Sequence, residues 1–281
     1  MTTPSIKLTR TPAAPALLGL DATQSQAVAH RGSPLLIAGG PGTGKTSVLI
    51  EAALSRIAAG QDPDSILLIT YGRERASELR DAIALRTTVT MHEPLARTFH
   101  SLAYSILKMD SGDNYHEPIL LSGPEQENFI GQLLEGDVID GYREWPVDLH
   151  DGDDKKGNPL LTQGFIRELR DLIMRANERG ISPDKLAALG GKVGEKYWAP
   201  AAEFWKRYKE ISAIREDSAG DSKMRIDPSE LINVAIAYLE KNEKLRAQLQ
   251  ARFATIMVDE FQESDPGQRK LLDLLSGPDL E

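Results

Sequence analysis

The chain contains no cysteine, which excludes disulfides and thiolate metal sites and fits a reducing, cytoplasmic setting. No apolar stretch approaches the roughly 18 residues of a membrane span, so neither a membrane segment nor a membrane partner is expected. The first 20 residues hold a short Ala/Leu patch broken by Pro12 and Pro15, without the apolar core and cleavage site of a signal peptide, and read as a loose arm. No lysine or arginine block is present, and 33 basic against 42 acidic residues leave a net charge of −9. That balance argues against a binder that grips duplex by bulk charge, while leaving room for a local basic or stacking track along a single strand. The five histidines (30, 92, 100, 116 and 150) lack metal-ligand spacing. Internal repeats and low-complexity tracts are also missing.

What remains is the composition of a soluble globular protein, 41% hydrophobic and 27% charged over 281 residues, enough for one or two domains. Two stretches carry chemistry. Gly39, Gly40, Pro41, Gly42, Thr43, Gly44, Lys45 and Thr46 complete a G-x-x-x-x-G-K-[ST] pattern. The pattern follows the apolar run Leu35-Leu36-Ile37-Ala38 and precedes Ser47-Val48-Leu49-Ile50, so strand, glycine loop and helix are expected in that order. Glycines let backbone amides close on a phosphate, and a new helix N-terminus aims its dipole at the anion. Lys45 supplies a mobile charge for the β- and γ-phosphates of ATP, and the Thr46 hydroxyl is a ligand for Mg²⁺.

Near the other end, Ile256-Met257-Val258 reads as a short buried strand followed by Asp259 and Glu260. Acids directly after such a strand project from its carboxyl edge, where open α/β sheets hold ligands. Asp259 is the candidate metal ligand, and Glu260 the group that orients or deprotonates an attacking water, a role worth about 10²–10⁴-fold in rate.

Residues 21–110 alternate helical and strand patterns: a helix closing at Gly60, a strand over 65–70, a charged amphipathic helix over 73–85, a short β-rich piece at 87–90, and a helix over 102–108. From 111 to 250 helices dominate. Ser122 and Glu125 form a capping box, Phe165, Leu169, Leu172, Ile173 and Ala176 share a face ending at Gly180, and Ser182-Pro183 opens another helix. Phe204, Trp205, Tyr208 and Ile211 form an apolar stripe read as core, and Leu231, Ile232, Ala235, Ile236 and Leu239 a further buried face. Residues 148–158 are a polar loop, and the sheet resumes at 253–258. The expected fold class is therefore α/β: a parallel P-loop NTPase sheet over 21–110 and 251–281, behind an arm at 1–20, with a mainly helical insertion at 111–250.

The order of motifs resembles the superfamily 1 DNA helicases of the UvrD/Rep kind. Leu20-Asp21-Ala22-Thr23-Gln24-Ser25-Gln26-Ala27-Val28 is similar to that family's L-N-x-x-Q-x-x-A-V, which implies that Gln24 reads the adenine edge. Ile69-Thr70-Tyr71 with Ala76 and Glu78-Leu79-Arg80 resembles T-F-T-N-K-A-A-x-E-M, except that Gly72, Arg73 and Glu74 replace T-N-K. Thr98-Phe99-His100-Ser101-Leu102 matches T-F-H-S-L, implying contacts of Thr70, Tyr71, Thr98, Phe99 and His100 with single-stranded DNA, stacking on Phe99 being worth about 1–3 kcal/mol per base. Asp227 to Ile232 is a weak D-x-x-D-L-L with Glu230 as second acid, and residues 258–266 resemble V-D-E-x-Q-D-x-x-P, implying that Gln262 senses the γ-phosphate.

The resemblance implies a RecA-like domain 1A with a 1B insertion, acting with ATP and Mg²⁺ in a 3′→5′ translocase of DNA repair or recombination. Lys45, Glu260 and Gln262 are then catalytic, Gln24 and residues 39–47 including Ser47 bind nucleotide, and Thr46 and Asp259 hold the metal. A second RecA-like domain and the G-D-x-x-Q-S-I-Y segment are expected from a longer parent chain, so that these 281 residues alone should be a weak or silent ATPase. A narrower likeness, on Gly39-Gly40-Pro41-Gly42, Glu93-Pro94-Leu95, Glu144-Trp145-Pro146 and residues 164–180, is to the AdnA-type subunit of the actinobacterial helicase–nuclease, which implies a second subunit as partner. The rival reading is a structural nucleotide- and DNA-binding subunit that does not itself translocate. An unrelated P-loop kinase or NTPase would have no use for Gln24 and residues 98–102, and residue types alone do not choose between DNA and RNA.

Overall fold

A computed structural model describes residues 19–109, 117–141, 145–150, 157–218 and 223–277. Most of the expected arm, and residues 151–156 of the expected polar loop, lie outside the described residues. The regular elements run α1 (Ala22–Ala29), α2 (Lys45–Ala58), β1 (Ile66–Thr70), α3 (Arg73–Ala84), β2 (Ala96–Thr98), α4 (Phe99–Lys108), β3 (Glu117–Leu120) and α5 (Gly123–Ile139). They continue with α6 (Gln163–Glu178), α7 (Pro183–Val193), α8 (Trp198–Ser218), β4 (Lys223–Ile226), α9 (Leu231–Lys241), α10 (Glu243–Arg252), β5 (Thr255–Val258) and α11 (Pro266–Leu275). The described residues divide into two compact units, one within 19–99, 243–263 and 275–277, the other within 100–242 and 264–274.

In the first unit, β1 lies between β2 and β5, and both pairings are parallel. All five residues of β1 are buried, as a central parallel strand covered on both faces requires. Helix α2 presents Ile50, Ala53 and Ile57 to the sheet residues Ile66 and Leu68, and α3 adds Leu79 and Ile83 to the same core. The spacing of Ala76, Leu79 and Ile83 along α3 keeps them on one face, with charged residues on the other. β5 is less covered than its sequence suggested: Thr255 and Met257 are buried, while Ile256 and Val258 are only half-buried.

Two expected strands are not formed. The run at 35–38 is irregular, with Leu35 and Leu36 49% and 77% exposed, because an extended segment becomes a strand only by pairing, and none of β1, β2 and β5 pairs with it. The β-rich residues 87–90 are also irregular, and the strand falls at Ala96–Thr98. The connection is tied down by the Asp64 carboxylate, which accepts the backbone N–H groups of His92 and Glu93 and faces the His92 ring.

The second unit is mainly helical, with β3 and β4 as a parallel pair. At the start of α5 both bonds of the capping box are made: Ser122 accepts from the Glu125 backbone, and Glu125 accepts from the Ser122 backbone. Thr162 and Ser182 cap α6 and α7 in the same way from one side. The core joins Ile166, Leu169 and Ile173 of α6 to Phe204, Trp205 and Tyr208 of α8. Each such side chain contributes about 1.5–3 kcal/mol by leaving water, so a charged residue at Leu169 would break this face. Leu231, Ile232, Ala235, Ile236 and Leu239 of α9 are all buried, as their spacing predicted. Among the described residues no helix is long and apolar enough to cross a membrane.

Candidate functional site

The glycine loop enters α2 through Gly44, whose φ of +82° is comfortable only without a Cβ. A Cβ on Gly44 would lie 2.9 Å from Gln24 Nε2, and one on Gly39 would lie 2.7 Å from Thr43 Oγ1, so the loop is closely wound. Thr43 donates its hydroxyl to the Gly40 carbonyl, and the Lys45 ammonium donates to the carbonyls of Gly39 and Gly40 at 2.9 and 3.1 Å. Lys45 is thus folded over the loop into which a phosphate would fit. Ser47 lies half-buried in the first turn of α2, and Pro41 and Gly42 are exposed at the tip.

Gln24 has two roles at once. Its side-chain carbonyl accepts from the Asp21 backbone as half of the capping box of α1, and its Nε2 donates to the Thr43 carbonyl at 3.0 Å. The residue that the resemblance assigns to the adenine is therefore anchored against the glycine loop.

Asp259 follows β5 directly, and its backbone N–H donates to the Ile69 carbonyl at 2.8 Å. Its side chain is only 3% exposed, and Oδ1 is buried without a hydrogen-bond partner. Burial pushes the Asp259 carboxyl above the usual carboxylate range; the nearby Arg75 works against that shift, and Glu260 adds to it. Glu260 has φ +52°, uncommon outside glycine, and is exposed. The Gln262 amide donates to its carboxylate.

Arg75, which sequence reasoning passed over, joins the two halves of the site. Its Nη2 donates to Thr46 Oγ1 at 2.8 Å, its Nε lies 3.6 Å from Asp259 Oδ2, and its Nη1 donates to Glu78 at 2.9 Å. A single guanidinium thereby places the loop threonine and the strand-end aspartate in one neighbourhood. A hydroxyl and a carboxylate are hard oxygen donors, and the orphaned Asp259 Oδ1 offers a further lone pair, so these residues fit Mg²⁺. The one sequence signal for Arg75 was the Gly72-Arg73-Glu74 departure beside it. Gly72 takes φ +90°, which turns the chain sharply from β1 into α3.

The candidate strand-contact residues are less uniform. Thr70 is buried at the end of β1, Thr98 is half-buried at the end of β2, and His100 is exposed. Phe99 is 2% exposed, and its ring lies 5.7 Å from that of Tyr71, which is half-buried. Between these two rings it is Tyr71 that offers surface to a base.

The model of the UvrD/REP helicase N-terminal domain matches residues 20–280. DNA helicase IV of Escherichia coli is 28% identical over 275 residues, covering 90% of this chain and 37% of that protein. ATP-dependent DNA helicase UvrD1 of Mycobacterium tuberculosis is 26% identical over 273 residues, covering 95% of this chain and 32% of that protein. The chain spans about a third of the length of the curated relatives it matches. With the family model extending over nearly all of a chain whose glycine loop and strand-end acids converge as described, the chain belongs to the UvrD/REP helicase N-terminal domain family.

Proposed function

We propose that this chain is the ATP-binding part of an ATP-dependent DNA helicase or translocase. The observation that carries the reading is the meeting of Thr46 and Asp259 through Arg75 at one end of the parallel sheet, with the Lys45 charge near enough to act on the Asp259 carboxyl and Glu260 and Gln262 immediately beyond. Residues 21–110 and 251–281 are assigned to the RecA-like ATP-binding domain and 111–250 to its insertion. Gln24 and residues 39–47 hold the nucleotide. Thr46 and Asp259 would hold Mg²⁺, which neutralises phosphate charge when bound. Lys45 trades its carbonyl partners for phosphate oxygens, a charge-assisted exchange. Glu260 takes the proton of the attacking water, and Gln262, bonded to it, senses the γ-phosphate and couples it to the DNA track. Thr70, Tyr71, Thr98, Phe99 and His100 form that track, along which a single strand moves 3′→5′ by family likeness, in repair or recombination in the cytoplasm. Further helicase domains, and a second helicase–nuclease subunit on the AdnA-type likeness, are the expected partners.

One observation favours the second reading, a nucleotide- and DNA-holding subunit without translocation of its own: Phe99 is buried, so its face is withheld from a base. ATP hydrolysis by the full-length protein, with and without single-stranded DNA and beside Glu260→Gln, separates the two. DNA-stimulated turnover abolished by the substitution supports the motor, whereas bound ATP without stimulation supports the holding subunit. The 281 residues alone should hydrolyse ATP weakly, since charge around the transferred phosphate has to come from several sides. Robust turnover by them would refute that expectation.

A further inference from the structure

Taking residues 39–46 and 259–262 as an ATP site, as proposed above, we infer that Arg75 is a built-in counter-cation of the metal position, one that Mg²⁺ has to displace in order to bridge Thr46 and Asp259. The geometry is a three-way fork. Arg75 reaches the Thr46 hydroxyl through Nη2 at 2.8 Å, Asp259 through Nε at 3.6 Å and Glu78 through Nη1 at 2.9 Å. The first two partners belong to the residues assigned to the metal. The third lies on the same helix, one turn away, and plays no part in the phosphate site.

Guanidinium and metal ion compete for the same groups. Mg²⁺ requires oxygen contacts of about 2.0–2.1 Å in near-octahedral geometry, which leaves no space for a cationic donor already hydrogen-bonded to one of those oxygens. Two cations in one pocket also repel, most strongly beside a carboxylate as buried as Asp259, at 3% exposure. Arg75 itself is 45% exposed, so its hold is light and its departure easy. Glu78, 65% exposed and already bonded to Nη1, keeps hold of the guanidinium when Nη2 and Nε let go. In one position Arg75 spans Thr46, Asp259 and Glu78; in the other it is left on Glu78 alone and the site is open. Metal-dependent nucleotide binding in this chain is thereby coupled to the swing of one side chain.

Opposite shifts from the two ends of the Arg75–Glu78 pair make the test. Binding of a fluorescent methylanthraniloyl-ADP to the 281-residue chain is measured in EDTA and across a MgCl₂ series. Arg75→Ala should lower the half-saturating Mg²⁺ concentration by about twofold to fivefold, the range expected of a partly exposed charge pair. Glu78→Gln, which takes away the carboxylate that holds Arg75 once Nη2 and Nε let go, should raise it by about twofold to fivefold. Arg75→Lys, keeping the charge without the fork, should fall between parent and Arg75→Ala, and affinity in EDTA should change by less than about twofold in all three variants. An unchanged or increased Mg²⁺ requirement in Arg75→Ala, with the parent still binding nucleotide, would overturn the displacement and leave the ATP site standing. Equal loss of affinity with and without Mg²⁺ would make Arg75 a phosphate ligand and overturn it too. If parent and variants all fail to bind the nucleotide at any Mg²⁺ concentration, the ATP-site reading falls and the displacement with it.

Discussion

Replacing Asp137 tests how the helical unit is held together. Asp137 of α5 is 3% exposed and accepts the Trp145 indole N–H at 2.9 Å and the Arg207 guanidinium at 2.7 Å, while Arg207 also lies over the Phe204 ring. Asp137→Ala leaves a buried indole donor without a partner, at a cost of about 1–3 kcal/mol. It also strands a cation, for which breaking a fully buried pair costs about 3–5 kcal/mol. Arg207 is 25% exposed and regains some water, which draws the second contribution toward or below its lower limit. A total of about 3–5 kcal/mol results. Asp137→Leu combined with Arg207→Met removes both charges and fills the space, so the double variant should recover most of the loss and cost about 1 kcal/mol. All three tryptophans, Trp145, Trp198 and Trp205, belong to this unit, so urea unfolding followed by tryptophan fluorescence reports on it selectively. A loss below about 1 kcal/mol in Asp137→Ala, or a double variant as unstable as the single, would refute the reasoning, since neither fits an orphaned buried charge.

Three further outcomes follow from the geometry. Lys45→Ala should reduce nucleotide affinity by about tenfold or more, read by fluorescent-nucleotide titration, because the substitution removes the ammonium that faces the Gly39 and Gly40 carbonyls. Gly42→Ala and Gly44→Ala both impose a left-handed alanine at about 1–2 kcal/mol, but only Gly44→Ala also meets Gln24 Nε2, so it should weaken nucleotide binding more than Gly42→Ala in the same titration. Glu125→Gln tests acid sensitivity. The Ser122 hydroxyl and backbone N–H hold the Glu125 carboxyl below its usual range, so its stabilisation is fully present above the ordinary glutamate pKa and is lost as pH falls through the lowered value. The stability gap between parent and Glu125→Gln, read by tryptophan fluorescence, should close on acidification and shrink in high salt; a gap independent of pH would refute it.

Local chemistry was legible in the order of residues. The glycine loop, the capping box of Ser122 and Glu125 and the buried face of α9 need only neighbours within one or two turns, so spacing specifies them. The placing of Asp259 after a strand followed from the apolar triplet before it. Pairing partners were not legible. The apolar run at 35–38 has the composition of a buried strand, yet strands exist only in ladders, and the ladder here joins β2, β1 and β5. For the same reason residues 87–90 stayed irregular in spite of their β-branched side chains. Phe99 carried the right residue type for stacking, but its burial beside Tyr71 depends on where β1 and β2 end relative to each other. By itself the sequence determined that a glycine loop and a pair of strand-end acids exist, and which helix faces are apolar. Tertiary structure alone decided that Arg75 would stand between Thr46 and Asp259, because that meeting requires α2, α3 and the end of β5 to converge, and contacts between residues so far apart in the chain leave no periodicity to read.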